Sequence, residues 1–91
     1  MTSQPYRSTP VFDQSSLPSA LMSRHNTKAG VWGVIKVLEG ELKLTYLDPQ
    51  SELVLSKGDS AVVEPQQWHY VTPSGEFQMQ VDFYDAPPAS K

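Results

Sequence analysis

Turn-forming residues recur along this chain at short, fairly even intervals, and that cadence constrains the fold more than any single motif does. Glu39-Gly40, Asp48-Pro49-Gln50-Ser51, Lys57-Gly58-Asp59 and Pro73-Ser74-Gly75-Glu76 cut residues 31–84 into pieces of strand length. Nowhere do apolar residues hold helical periodicity over ten or more positions. The expected class is therefore all-β, a small barrel or sandwich with little or no helix, rather than a set of βαβ units.

Residues 31–38 are apolar on both faces, as suits a central strand covered on each side, and Glu39-Gly40 is expected to turn the chain after it. Residues 41–47 alternate, with Leu42, Leu44 and Tyr46 on one face and Glu41, Lys43 and Thr45 on the other, the pattern of a half-buried strand. In Asp48-Pro49-Gln50-Ser51 the proline stands where a type I turn favours it, so residues 52–55 should return antiparallel. A four-residue loop at Pro73-Ser74-Gly75-Glu76 would make a last hairpin with Thr72 opposite Phe77 and His69 opposite Gln80. That register collects Trp68, Tyr70, Phe77, Met79, Val81 and Phe83 on a face to be buried. The other face, Gln67, His69, Val71, Gln78, Gln80 and Asp82, either meets solvent or lines the mouth of a small barrel.

Pro5, Pro10 and Pro18 keep the first twenty residues extended, with residues 1–7 an arm and residues 10–13 a short edge strand. Residues 86–91, Ala-Pro-Pro-Ala-Ser-Lys, read as a frayed tail. The 91 residues have room for a single domain, 1–91. Chains this short bury only about 60 to 65% of the surface they expose when unfolded, which favours a homodimer. Ten acidic residues against seven scattered basic ones argue against a nucleic-acid partner. The absence of cysteine removes disulfides, thiolate metal sites and thiol nucleophiles. The first twenty residues lack the continuous apolar segment of a signal peptide and no apolar run is long enough to cross a membrane, so the cytoplasm is the expected location.

The candidate chemistry centres on the two histidines, His25 and His69. With one carboxylate they would form a two-histidine, one-carboxylate set that leaves coordination positions open on a divalent metal. In the expected hairpin Asp82 lies diagonal to His69 on the same face, about 7 to 8 Å away between backbone positions. Glu64 is the competing carboxylate, and Gln80, directly across from His69, is placed to contact a ligand or to orient the imidazole. Arg24, His25 and Lys28 put two cations and an imidazole within five residues, an anion clamp if the chain turns there and a solvated loop if it does not. No Ser-His-Asp order, phosphate-cradling glycine loop or dinucleotide fingerprint is present.

Four ordered blocks carry a family resemblance: residues 24–33 (Arg-His-Asn-Thr-Lys-Ala-Gly-Val-Trp-Gly), Val37-Leu38-Glu39-Gly40, residues 63–69 (Val-Glu-Pro-Gln-Gln-Trp-His) and Gln80-Val81-Asp82-Phe83-Tyr84. Together they resemble the TehB N-terminal and YeaR-like family over residues 8–84. That family is associated with tellurite resistance and has a cupin-like fold, so the resemblance implies a double-stranded β-helix barrel in a stress-response setting. Gly58, Pro65 and His69 follow the order of the second cupin motif, with a proline-to-histidine gap one residue shorter than usual. The first motif departs further. His25 is followed by Thr27 and then Trp32 or Gly33 where cupins commonly supply a second histidine and a glutamate, and Asp82 is the expected substitute. The implied cofactor is a divalent metal (zinc, iron or manganese) and the implied partner a small molecule or oxyanion. Longer TehB proteins carry a methyltransferase domain after the barrel, and methyl transfer lies outside what this resemblance implies. Two further readings stand beside the metal-holding one: a dimeric module that takes an anion through Arg24, His25 and Lys28 without metal, and an interaction domain whose aromatic face includes Trp68 and Phe83. A shared fold does not by itself assign a reaction.

Overall fold

The computed structural model describes residues 4–47 and 50–88. Among these the regular elements are β1 (Arg7–Ser8), β2 (Phe12–Asp13), a 3-10 turn (Ser19–Met22), β3 (Trp32–Tyr46), β4 (Ser51–Ser56), β5 (Ser60–Val63) and β6 (His69–Tyr84). Strands dominate, as the turn cadence requires. No helix among the described residues is long and apolar enough to cross a membrane.

The two long strands organise the rest. β3 and β6 run antiparallel from Trp32 opposite Tyr84 to Tyr46 opposite His69. The second edge of β3 is covered by β5 over its first half, where Val34 faces Val62, and by β4 over its second, where Leu44 faces Leu53. The second edge of β6 takes β1, with Ser8 opposite Asp82, and β2, with Phe12 opposite Met79. The expected edge strand at residues 10–13 thus appears as β2, and the return of residues 52–55 as part of β4. Asp48 and Pro49 of the turn between β3 and β4, and residues 1–3 and 89–91 of the arm and tail, lie outside the described residues.

Two expected turns are instead irregularities within strands. Glu39-Gly40 does not reverse the chain, because β6 continues to pair with β3 on both sides of it. Val37 and Glu39 face Met79 and Gln78, two residues apart on β3 against one on β6, which is a β-bulge at Leu38. The bulge shifts the inward parity of β3, so Gly33, Ile35 and Val37 are buried before it and Leu42 and Leu44 after it. Likewise Pro73-Ser74-Gly75-Glu76 closes no hairpin. Gly40 and Leu42 face Phe77 and Pro73, a second register shift that places the proline at an irregularity, where its missing N–H breaks no regular ladder.

The faces of β6 change accordingly. The extra residues at the second shift are even in number, so odd positions are inward on both sides of it: His69, Val71, Phe77, Met79 and Val81 are all buried. Val71, expected on the polar face, is in the core, whereas Trp68, expected in the core, is 47% exposed. His69 faces Tyr46 and Gln80 faces Lys36, not one another. Ile35, Val37, Leu42, Leu44, Leu55, Val63, Val71, Phe77, Met79 and Val81 form the buried core on the concave side of the bent sheet.

Gly40 sits between the two register shifts of β3. Its φ is +70°, and a Cβ there would overlap the Glu76 carbonyl oxygen and touch the Phe77 Cα at 3.0 Å. Gly58 also has positive φ, at +90°, but open space around it. We predict that Gly40→Ala costs about 3 kcal/mol or more in urea denaturation, from strain plus overlap, while Gly58→Ala costs only about 1 kcal/mol from strain. Equal losses at the two positions would contradict the close approach at the bend.

Candidate functional site: an imidazole pair in an apolar cavity

A single pair of backbone groups brings the two histidines together. The His25 N–H donates to the His69 carbonyl and the His69 N–H donates to the His25 carbonyl, each at 3.0 Å. This reciprocal exchange is an isolated antiparallel bridge between the 3-10 turn's outgoing loop and the start of β6. Thr27 reinforces it: its carbonyl accepts the Gln66 N–H at 3.1 Å, and its hydroxyl donates to the Val31 carbonyl at 2.8 Å.

The turn before β6 is built to meet that loop. Gln67 N–H donates to the Glu64 carbonyl at 3.1 Å, Pro65 supplies its fixed φ, and Gln66 takes φ +61°, the left-handed position that a type II turn requires third. The Gln67 side-chain oxygen accepts the Glu64 N–H at 3.0 Å, closing the turn from the other side.

Directly opposed residues point to one face, and the rings accordingly lie with centroids 4.1 Å apart and planes inclined at 58°. Each Nδ1 meets a carbonyl two residues earlier, His25 to Ser23 at 3.0 Å and His69 to Gln67 at 2.7 Å. A carbonyl only accepts, so each Nδ1 is the protonated nitrogen, and in a neutral ring Nε2 is the nitrogen left as acceptor. His69 is 3% exposed. Burial pushes its pKa below the ordinary 6.5; the hydrogen bond to Gln67 opposes that shift and the neighbouring His25 adds to it. Tyr46, opposite His69, donates its hydroxyl to the Val62 carbonyl at 2.7 Å, and burial, with Glu64 nearby, raises its pKa above 10.0.

Both histidines line a cavity of about 320 Å³. Its inner wall is aliphatic, from Ile35, Val63, Val71, Met79 and Val81, all in the buried core. Exposed Tyr6, Arg7, Asn26 and Lys28 also line it, and no carboxylate does among the described residues.

Of the expected metal- and ligand-binding residues, the structure unites His25, His69 and Lys28 at this cavity and leaves Arg24, Glu64, Gln80 and Asp82 elsewhere. Asp82, at an even position, lies on the opposite face of β6 from His69. Its carboxylate pairs with the Lys36 ammonium at 2.9 Å and accepts the Ser8 hydroxyl at 2.7 Å. Burial alone would raise the Asp82 pKa, but Ser8 and Lys36 outweigh it and hold the carboxyl below 3.8. Gln80 donates its amide to the Thr9 carbonyl at 2.8 Å and helps tie down the N-terminal arm. Glu64 is an exposed turn residue, and Arg24 is exposed and does not line the cavity. The diagonal approach of Asp82 to His69 depended on a hairpin that the structure replaces with one continuous strand. Trp68 and Phe83 share no face, since Phe83 lines the cavity and Trp68 projects outward. Arg7 and Tyr6 are additions that sequence reasoning missed; the only signal was the extended, proline-punctuated arm that carries them to the edge of β6.

The TehB-like domain model matches residues 7–81. The chain belongs to the TehB-like domain family. It is 33% identical over 85 residues to the probable S-adenosyl-L-methionine-dependent methyltransferase TehB of Haemophilus influenzae, covering 87% of this chain but 30% of that protein. The chain thus spans about a third of the length of this curated relative. The crystal structure of H. influenzae TehB superposes with a TM-score of 0.82 at 31% identity, covering 91% of this chain and 31% of TehB. The uncharacterized protein YeaR of Escherichia coli K12 is 30% identical over 91 residues, 89% of this chain and 76% of YeaR. A cupin-2 domain protein from Shewanella frigidimarina matches at TM-score 0.59 and 19% identity over 75% of this chain and 60% of its own, a likeness of fold alone. The fold is cupin-like, as the resemblance implied.

The donor set does not fit the metal that cupin-like barrels imply. Among the described residues no three His, Asp or Glu side chains are grouped to hold an ion, because the face of β6 that carries His69 carries no acid. The titration of His69 has its own signature. Since its folded pKa lies below the unfolded 6.5, the unfolded chain binds more protons in that range, and stability falls as pH drops through 6.5. Asp82 loses its contribution only below 3.8, so the two windows separate. We predict that the melting temperature falls between pH 7.5 and 5.5, and that His69→Gln flattens this slope. An unchanged slope in the variant would assign the titration elsewhere.

Proposed function

We propose that the chain is a binding domain that takes a small anion in its cavity through the His25–His69 pair, with no resident metal. The observation that supports this reading is the reciprocal backbone bridge, which sets two imidazoles with centroids 4.1 Å apart at a cavity whose formal charges, Arg7 and Lys28, are both positive. A neutral Nε2 repels an oxyanion, so anion binding draws a proton onto the pair, and a second proton is opposed by the first across 4.1 Å. The groups that bias this uptake are the two imidazoles with Arg7 and Lys28 at the cavity, and Tyr46, opposite His69, with Glu64 near it.

In this reading the metal-holding role expected of His25, His69 and Asp82 gives way to direct anion recognition, and Arg7 takes the place expected of Arg24. Inorganic oxyanions such as tellurite and organic carboxylates are both candidates for the class.

The test is calorimetric titration with acetate, benzoate, nitrite and tellurite, at pH 6 and pH 8, with and without EDTA. We predict binding of at least one anion that is indifferent to EDTA, is several-fold tighter at pH 6, and falls tenfold or more in His69→Gln, with smaller losses in Arg7→Ala and Lys28→Ala. Binding abolished by EDTA and restored by zinc, or no binding of any anion at millimolar concentration, would overturn the proposal.

A further inference from the structure

Resting on the anion-site reading above, we infer that the ligand is an amphipathic organic acid, a carboxylate with an unbranched or aromatic apolar body, rather than a compact inorganic oxyanion. The inference comes from the wall of the cavity that the imidazoles do not occupy. Val63, Val71, Met79 and Val81 present only hydrocarbon or thioether surface there, and all four are core residues. Leu21 from the 3-10 turn lines the same cavity.

Volume decides between the two classes. At roughly 30 Å³ per water, 320 Å³ corresponds to about ten water-sized groups. Tellurite or nitrite would fill only a small part of that space. Part of the remainder would hold water against the aliphatic side chains, which offer it no hydrogen bonds, and apolar cavity walls do not retain ordered water. A carboxylate at the imidazole pair with a tail along Val63, Val71, Met79 and Val81 satisfies both parts of the cavity. The apolar wall equally disfavours sugars and nucleosides, whose hydroxyls would go unpaired there.

The experiment is a titration series at pH 6 with acetate, butyrate, hexanoate, octanoate and decanoate, with tellurite, nitrite and 1-octanol as comparators. Affinity should rise about fourfold per methylene, the ratio that about 0.8 kcal/mol of burial per CH₂ gives, and level off near eight carbons. Leu21→Phe should move the plateau to shorter chains. Affinity that is flat with chain length, or tellurite binding as tightly as octanoate, would overturn this inference while leaving the anion site standing. Binding of 1-octanol equal to that of octanoate would overturn both, as would binding of none of these compounds.

Discussion

Two hydrogen bonds between the backbones of His25 and His69 are the constraint on which the site depends. They form an isolated bridge between the loop following the 3-10 turn and the sheet, and they fix that loop in register with the first residue of β6. Because the exchanged bonds lie in the peptide plane, the two side chains must emerge on one face. The rings then have little freedom left, since each Nδ1 is held by the carbonyl two residues before it. Tautomer, separation and orientation follow from backbone geometry rather than from contact between the imidazoles themselves.

The cavity beside the pair is a consequence of two long strands that bend without parting. A continuous β6 keeps odd positions inward on both sides of its register shift, so His69 and Val81 contribute to one cavity from distant parts of the strand. On β3 the bulge at Leu38 moves the inward set from odd to even positions, which lets Ile35 and Leu44 face one interior across the bend. Gly40, with positive φ against the Glu76 carbonyl, allows the two strands to approach at that point. The outer face of β6 does different work. There Asp82 joins Ser8 and Lys36, and Gln80 joins Thr9, so the polar residues of this strand fasten the N-terminal arm that brings Arg7 to the cavity.

Much of this was legible in the residues. Turn spacing indicated an all-β fold, the alternation of Leu42, Leu44 and Tyr46 identified a half-buried strand, and the pairing of His25 with His69 was anticipated from the barrel. What failed failed for one reason: a glycine or proline signals an interruption of the ladder, and a bulge and a turn interrupt it with the same residues. Reading Pro73-Ser74-Gly75-Glu76 as a hairpin placed Asp82 and Gln80 beside His69, and that single choice produced the expected metal triad. Val71 carried the counter-signal, a β-branched apolar residue assigned to a polar face. Long-range placement of Arg7 and Tyr6 had no local signature, because it depends on which strand edge the N-terminal arm joins.

The most direct test of the account is long-range ¹H–¹⁵N correlation NMR of the two imidazoles in the unliganded protein at pH 7.5. It should show both rings as the Nδ1–H tautomer, with nuclear Overhauser contacts between them and with slowly exchanging His25 and His69 amides. Rapidly averaging tautomers, absent inter-ring contacts or freely exchanging amides would contradict the bridge and everything built on it.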